Sequence, residues 1–156
     1  MPTGPPIIAA LFAWLHFLAI GVGAGLLLTE YWLCRRQPDR MQVRLLGQVD
    51  LGYQLALIAT LATGLARALY YGQDLDYYVS NRLFWLKIAI FGLIVVVAVA
   101  PTLQCIRWNR EARSAPTFAP LTREIERVRG SIAFGLGLWL ILPLIAVLVA
   151  RGYGFK

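Results

Sequence analysis

The chain has 156 residues, of which 59% are hydrophobic and 15% are charged, and its formal net charge is +7. A soluble domain is typically about 45–50% apolar and about 25% charged, so this composition excludes an ordinary soluble globular protein. The basic balance does not indicate a nucleic-acid partner, because the charges lie almost entirely between long apolar segments, where they set orientation in a membrane. We therefore expect an integral membrane protein whose partner is the lipid bilayer and not nucleic acid.

Four apolar segments are each long enough to cross a bilayer, which takes roughly 20 helical residues. Their continuous character favours helices over the short alternating strands of a membrane barrel. The sequence thus predicts an all-α bundle of four transmembrane helices in a single domain, 1–156. The predicted helices cover about 7–33, 45–71, 83–106 and 124–150. Thr122 is predicted to be the N-cap of the fourth helix, with acidic residues in the turn that follows.

The connections between the apolar segments predict the orientation. The first connection, 34–44, and the third, 107–129, are rich in arginine, whereas the second, 72–82, carries Asp74 and Asp76. Connections rich in Lys and Arg stay in the cytoplasm. We therefore expect a multi-pass protein of the bacterial inner (cytoplasmic) membrane with the N-terminus and the C-terminus both outside, in the periplasm.

Small residues on the first helix indicate close helix packing. Gly21 and Gly25 form a GxxxG pair, which lets helix backbones approach closely in lipid. We expect this pair to pack inside the bundle, and the alternative is the face of a homodimer.

Ionisable side chains within the predicted helices are the main functional signal. A charge at membrane depth costs roughly 2.5–3.5 kcal/mol, so such residues usually face the protein interior and have partners. The five residues are His16, Glu30, Asp50, Arg67 and Lys87. Glu30 and Asp50 fall near the cytoplasmic edge, where they are either polar anchors that pair with inner arginines or members of a proton relay.

Helical spacing places these residues on two polar stripes. His16, Gly23 and Glu30 are seven residues apart and so share one face of the first helix. The second helix carries a broader polar stripe on one face. Its members are Asp50, Tyr53, Gln54, Thr60, Gly64 and Arg67. We expect the two stripes to face each other or the bundle axis.

The outer half of the membrane is the expected place for a binding pocket. His16, Arg67 and Lys87 would converge there on an apolar ligand with an anionic or carbonyl group: a haem with its propionates, a quinone or a lipid headgroup. Two simpler interpretations remain open. Long basic side chains can extend to the headgroups, and a neutral His16 can bond Tyr53, Gln54 or a backbone carbonyl.

A single histidine limits the metal chemistry. It excludes a haem b held by two histidines of one chain, so His16 would be a metal ligand only if haem is bound. No other metal site is expected. Cys34 and Cys105 fall at the reducing cytoplasmic edge and are expected to be free thiols. No catalytic motif is present, so enzymatic activity is not favoured and no catalytic residues can be named.

Several short runs together carry a family resemblance. They are Leu15-His16-Phe17-Leu18-Ala19, Asp50-Leu51-Gly52-Tyr53, Thr63-Gly64-Leu65-Ala66-Arg67, Phe84-Trp85-Leu86-Lys87, Pro101-Thr102-Leu103 and Ala150-Arg151-Gly152. In order and spacing the chain resembles an uncharacterised bacterial family of four-helix membrane proteins, domain of unknown function 2214. Members of that family often have two adjacent histidines in the first helix, and Phe17 occupies the second position here.

A more distant resemblance rests on fewer residues. A His in helix one, a Thr-Gly-Leu in helix two and a Lys early in helix three are similar to the haem-dependent protoporphyrinogen oxidase and the copper-resistance D type membrane domain. The first of these resemblances implies that His16 and Lys87 matter for haem and activity.

Three functions follow from these observations as expectations. The first is an accessory or structural inner-membrane protein, as a subunit of a larger membrane complex or as a homo-oligomer. The second is a redox protein that binds haem or quinone at a single-histidine site. The third is a small transporter in which Glu30 and Asp50 relay protons, and four helices would then require a dimer.

Overall fold

The computed structural model describes residues 5–34, 37–71, 79–115 and 117–154. Throughout these residues the regular structure is helical, as predicted. The helices are α1 (Pro6–Leu33), α2 (Arg40–Ala66), α3 (Arg82–Ser114) and α4 (Thr122–Ala150), and a π-helical turn (Arg67–Tyr71) continues α2. All four α-helices are long and apolar enough to cross a membrane.

Local capping sets where α2 begins. The backbone N–H of Gln42 donates to Asp39 Oδ1 (2.8 Å), and the Asp39 N–H donates to Gln42 Oε1 (3.0 Å). This reciprocal capping box satisfies two amides that a helix start would otherwise leave unpaired. α2 therefore begins at Arg40, before the predicted boundary of 45.

The helices on the other side of the bundle also differ from the predicted bounds. α3 continues to Ser114, past the predicted end at 106, because its polar last turns lie beyond the apolar segment that defined the prediction. Thr122 is the first residue of α4 and not its N-cap, which is Leu121. The Thr122 hydroxyl instead accepts a hydrogen bond from Gln37 Nε2 (3.2 Å), which ties the first connection to the start of α4.

The four helices form a ring in chain order. Each helix packs on the next, and α1 also packs on α4, so among the described residues the backbones of the two diagonal pairs, α1 with α3 and α2 with α4, stay apart. Large buried side chains from all four helices fill the middle of the ring. They include Leu27, Leu46, Tyr53, Ile94, Trp108, Ile132 and Trp139. Many large apolar side chains lie on the outside, as expected for a surface that meets lipid tails.

The two ends of the bundle are called here the terminal end, where α1 begins and α4 ends, and the arginine end, where α1 ends and α4 begins. At the terminal end the buried Asn81 caps α3 by accepting from the N–H of Leu83 (2.9 Å). Its Nδ2 donates to the carbonyl of Tyr153 (3.0 Å), and the Arg82 N–H donates to the carbonyl of Gly154 (3.2 Å). The residues after α4 thus hold the start of α3.

At the arginine end, polar side chains of α4 bond to the two neighbouring helices. Glu124 of α4 pairs with Arg107 of α3 and accepts from Trp108 Nε1 (3.0 Å). Arg129 of α4 donates to the hydroxyl of Tyr31 of α1 (3.0 Å), with its guanidinium over the same ring. These contacts fix how α4 sits against both neighbours.

The GxxxG pair does not pack inside the bundle, so that prediction is wrong. A Cβ added at Gly21 or Gly25 would meet no atom of another helix within 4 Å. The close approach occurs instead at Gly23, where a Cβ would lie 3.3 Å from the Trp139 ring and 3.5 Å from the Cβ of Ala56. Gly23 faces inward because it lies on the polar stripe, whereas a residue two positions away points to a different side of the helix.

Candidate functional site

The stripe on α1 faces the interior, as the spacing predicted. His16 contacts α2 near the terminal end, Gly23 packs against Trp139, and Glu30 is buried near the arginine end with 1% of its surface exposed. The three residues are seven positions apart and follow one line along the helix. Rotation of α1 is therefore as the sequence indicated.

The stripe on α2 faces the same interior. Asp50, Tyr53 and Thr60 are buried, and Gly64 lies directly against the imidazole of His16. The prediction that the two polar stripes face each other is confirmed. The functional roles assigned to their residues stay predictions.

The imidazole of His16 is oriented by Thr63, a partner that the sequence analysis did not single out. Nδ1 lies 3.0 Å from Thr63 Oγ1, and that hydroxyl donates to the carbonyl of Ala59 at 2.6 Å. Because the hydroxyl proton of Thr63 is committed to this carbonyl, Oγ1 is an acceptor for an N–H on Nδ1. Nε2 is then the nitrogen with the lone pair when the ring is neutral.

The expected partners of His16 are engaged elsewhere. The hydroxyl of Tyr53 accepts from Trp139 Nε1 (3.1 Å), and Gln54 Nε2 donates to Thr102 Oγ1 (2.8 Å). The predicted pairing of His16 with Tyr53 or Gln54 is therefore wrong, whereas the third alternative, a backbone carbonyl, is met by Thr60. Thr63 lies one helical turn before Arg67, on the side of α2 that reaches α1 at the depth of His16.

Gly64 makes room for the ring. A Cβ at this position would lie 3.0 Å from His16 Cε1 and 3.5 Å from Nδ1. A distance near 3.0 Å is closer than carbon atoms normally approach, so any larger residue would push the imidazole away. Thr63 therefore provides the hydrogen-bond partner of the imidazole, and Gly64 provides the space that the ring occupies.

Two cations accompany His16. Arg67 is the first residue of the π-helical turn, and its guanidinium carbon lies 5.5 Å from the ring centre of Phe17. Lys87 Nζ lies 5.4 Å from the ring centre of Phe84, in the first turns of α3. Both cations are half-buried and act electrostatically on His16. These three residues are called the cation site, and their convergence on one ligand stays a prediction.

The described residues supply no counter-charge to the cation site. Within the described parts of the chain, neither Arg67 nor Lys87 has a carboxylate oxygen within 4 Å, and the ion pairs there belong to Arg107 at the arginine end. Contact with an aromatic face contributes about 0.5–1 kcal/mol at exposed sites and more when desolvated. It stabilises a cation without neutralising it, so among the described residues nothing neutralises Arg67 or Lys87.

A second polar cluster lies deeper in the bundle. Glu30 and Asp50, with 1% and 5% of their surfaces exposed, line one cavity together with residues from all four helices. Thr102 Oγ1 donates to Asp50 Oδ1 (2.8 Å) and itself accepts from Gln54. Glu30 and Asp50 are called the carboxyl site.

Glu30 pairs with no arginine among the described residues. No described arginine lies within 4 Å of its carboxylate, and Oε1 accepts no hydrogen bond from any described residue. Arg35, another expected partner, lies outside the described residues. Thr102 and Trp139 are the polar residues of this region that sequence reasoning missed, because a lone Thr or Trp in an apolar helix carries no charge to mark it.

The described residues contain neither a metal-binding cluster nor a disulfide bond. There, no group of three or more His, Cys, Asp and Glu side chains could hold a metal ion. Cys34 and Cys105 are both buried and unpaired by a disulfide, as expected.

The family comparison agrees with a membrane-spanning fold. A family model described as "Predicted membrane protein (DUF2214)" matches residues 8–154, nearly the whole chain. The chain belongs to the DUF2214 family. No curated protein and no solved structure matches it. The family description gives a membrane location and no activity, so the chemistry of this DUF2214 protein has to be inferred from its sites.

Phe17, the neighbour of His16 in sequence, contacts a cation of the site. Its ring lies under the guanidinium of Arg67, whose central carbon is 5.5 Å from the ring centre. His16 is the one histidine of the chain. The more distant resemblances, to the protoporphyrinogen oxidase and to the copper-resistance domain, stay predictions.

Proposed function

We propose that this protein binds a lipid-soluble ligand whose head group carries carbonyl or carboxylate oxygens, and that the ligand occupies the cation site in the bacterial inner membrane. The observation that carries the proposal is the pair of half-buried cations, Arg67 and Lys87, with no carboxylate partner among the described residues. An unpaired charge in a span costs roughly 2.5–3.5 kcal/mol. A ligand with acceptor oxygens offsets that cost through charge-assisted hydrogen bonds.

His16 supplies the second half of the recognition. Its hydrogen bond to Thr63 fixes the tautomer and the ring orientation, as outer hydrogen bonds do for histidines that bind metals. The lone pair on Nε2 can then accept from a ligand or coordinate an iron. A core histidine whose only task is packing would not need two cations beside it.

Two ligands share this chemistry. A quinone offers carbonyl oxygens that Arg67 and Lys87 can bond. A haem offers propionates for the same cations and an iron for which His16 can be the one axial ligand from this chain, and it would supply one-electron redox chemistry when bound. Either ligand partitions into the bilayer and reaches the bundle from lipid.

The location of the site is part of the proposal. If the arginine end is cytoplasmic, as the distribution of arginine predicts, the cation site lies in the periplasmic half of the membrane. The roles of accessory subunit, homo-oligomer and dimeric transporter stay predictions, since no contact in the described residues favours any of them over ligand binding.

The experiment is a binding titration in mild detergent, followed by quenching of tryptophan fluorescence. The two probes are a short-chain benzoquinone and haem, added separately. We expect saturable binding of one probe near one per chain, lost in His16→Ala and retained in Arg113→Gln, which removes an exposed arginine at the arginine end. Saturation by quinone alone identifies a quinone site, and saturation by haem alone identifies a haem site. Equal binding by wild type and His16→Ala, or binding of neither probe, would contradict the proposal.

A further inference from the structure

The cavity between Glu30 and Asp50 has the size of a single water molecule. Leu27, Ile94, Pro101 and other side chains close it on several sides, and it leaves about 10 Å³ for the centre of a water-sized sphere. A space of this volume holds one water if polar partners are present. The oxygens of Glu30, Asp50 and Ser131 on its lining provide them. The ligands that fit this cavity are therefore a water, a proton or one small cation.

Glu30 has the environment of a neutral carboxylic acid. It is 1% exposed, and Oε1 accepts no hydrogen bond from any described residue. An ionised carboxylate placed there would lose its hydration without gaining a donor, which is among the most costly arrangements in a protein. A protonated Glu30 avoids the charge and instead needs one acceptor for its O–H.

Asp50 is also buried, with 5% of its surface exposed, but unlike Glu30 it accepts a hydrogen bond from a described residue. Gln54 Nε2 donates to Thr102 Oγ1, so the Thr102 hydroxyl is free to direct its own hydrogen onto Asp50 Oδ1. The chain of two 2.8 Å bonds therefore runs in one direction, from the amide to the carboxylate. Hydrogen bonds that point at a carboxylate stabilise its charged form.

The titratable neighbours do not change this division. Tyr53 of α2 lines the cavity. Cys34, directly after α1, interacts electrostatically with Glu30, and Cys105 of α3 interacts electrostatically with both carboxyls. All three are neutral in their ordinary state. From α4, Arg129 acts electrostatically on Cys34, donates to the hydroxyl of Tyr31 and forms no ion pair with Glu30.

We propose that Glu30 and Asp50 form a proton-binding site in which Glu30 carries the proton, Asp50 is ionised, and one water in the cavity joins them. The Glu30 O–H donates to the water, and the water donates to Asp50. A proton that leaves Glu30 through this water arrives on Asp50, so the pair exchanges one proton with no change in its total charge. Two carboxyls in different environments are the arrangement by which one group keeps a proton that the other releases.

This inference does not depend on the ligand of the cation site. The two carboxyls are buried among residues of all four helices, whereas His16 lies two heptads away from Glu30 along α1. Failure of the ligand-binding proposal would leave the proton-binding site as it is, and the reverse is equally true.

The test is infrared spectroscopy of the detergent-purified protein at neutral pH in H₂O and in D₂O. A protonated buried carboxyl gives a C=O stretching band that shifts slightly in D₂O. We expect the band in wild type and in Glu126→Gln, which removes an exposed carboxylate, and we expect its loss in Glu30→Gln. The band should persist in Asp50→Asn, because that substitution leaves the proton on Glu30.

Three results would overturn the proposal. One is the absence of the band in wild type, which needs no variant to be decisive. Another is a band that survives Glu30→Gln and disappears in Asp50→Asn, which would reverse the assignment. The third is a wild-type band that fades as Na⁺ replaces K⁺ at constant pH and ionic strength, which would make the cavity a sodium site.

Discussion

The cation site and the carboxyl site are polar clusters of opposite charge in one bundle, and they differ in how they meet the membrane. Arg67 and Lys87 are half-buried at the terminal end, within reach of a molecule that arrives through lipid. Glu30 and Asp50 are almost completely buried in a cavity that only a water-sized species can occupy. Both clusters lack an internal counter-charge in the described residues. The difference in access, rather than in charge alone, determines which kind of ligand each site can take.

The largest expected effect is a loss of ligand affinity when a cation of the cation site is removed, with no such loss when a carboxyl of the carboxyl site is removed. Arg67→Gln and Lys87→Gln each remove a charge-assisted hydrogen bond worth about 1.5–3 kcal/mol. We expect each variant to weaken binding of the quinone or haem probe by about 10- to 100-fold. Glu30→Gln is the matched control from the other cluster and should leave the affinity unchanged. A fall of equal size in Glu30→Gln would mean that the two clusters work as one site.

The second prediction compares how much Asp50 and Glu30 of the carboxyl site each contribute to the free energy of unfolding. Asp50→Ala removes the acceptor of Thr102 and leaves the hydrogen of a partly buried hydroxyl without its partner, so it should reduce the free energy of unfolding by about 1–3 kcal/mol. Glu30→Gln breaks no hydrogen bond to a described residue and should cost less. Unfolding by SDS in mixed micelles measures both.

A double substitution provides the control for that comparison. Because Asp50 and Thr102 share one bond, Asp50→Ala and Thr102→Ala together should cost less than the sum of the single variants. Additive costs would contradict a direct interaction between the two side chains.

The third prediction tests whether the position of the His16 imidazole against Gly64 matters for binding. In Gly64→Ala the new methyl group would lie 3.0 Å from Cε1, so the ring has to move and its bond to Thr63 weakens. We expect ligand affinity to fall roughly tenfold, equivalent to about 1.4 kcal/mol. Gly92→Ala, where a Cβ meets open space, should bind as wild type does. Equal affinity in both variants would show that the position of the imidazole does not matter.

The smallest effect concerns the packing between the two sites. Gly23→Ala places a methyl group 3.3 Å from the Trp139 ring and should lower the free energy of unfolding by about 1 kcal/mol. Gly25→Ala faces open space and should be neutral or more stable, since alanine favours a helix over glycine by roughly 0.5–1 kcal/mol. Destabilisation by Gly25→Ala and not by Gly23→Ala would reverse the assigned rotation of α1.

The sequence was sufficient for the number of helices and for their inward faces. Charged residues in an apolar segment must face the interior, and a spacing of seven then fixes the rotation of α1 through His16 and Glu30. The same reasoning was misled by Gly21 and Gly25, because small residues allow close packing without requiring it.

Other features depend on contacts between helices that spacing does not contain. The hydrogen bond of His16 to Thr63, the donors that point at Asp50 from Thr102 and the isolation of Glu30 all require the three-dimensional arrangement. The π-helical turn at Arg67 was also missed, since a local change from α to π geometry leaves no clear mark in composition.

The most direct test of ligand binding at the cation site is to purify the protein in mild detergent from its native membrane. Its absorption spectrum is then recorded oxidised and dithionite-reduced, and an organic extract of the same sample is analysed for quinone. We predict a Soret band that shifts on reduction, or co-purified quinone in the extract, and the loss of either in His16→Ala prepared alongside. A flat visible spectrum with no quinone in the extract of well-folded wild-type protein would contradict ligand binding at this site.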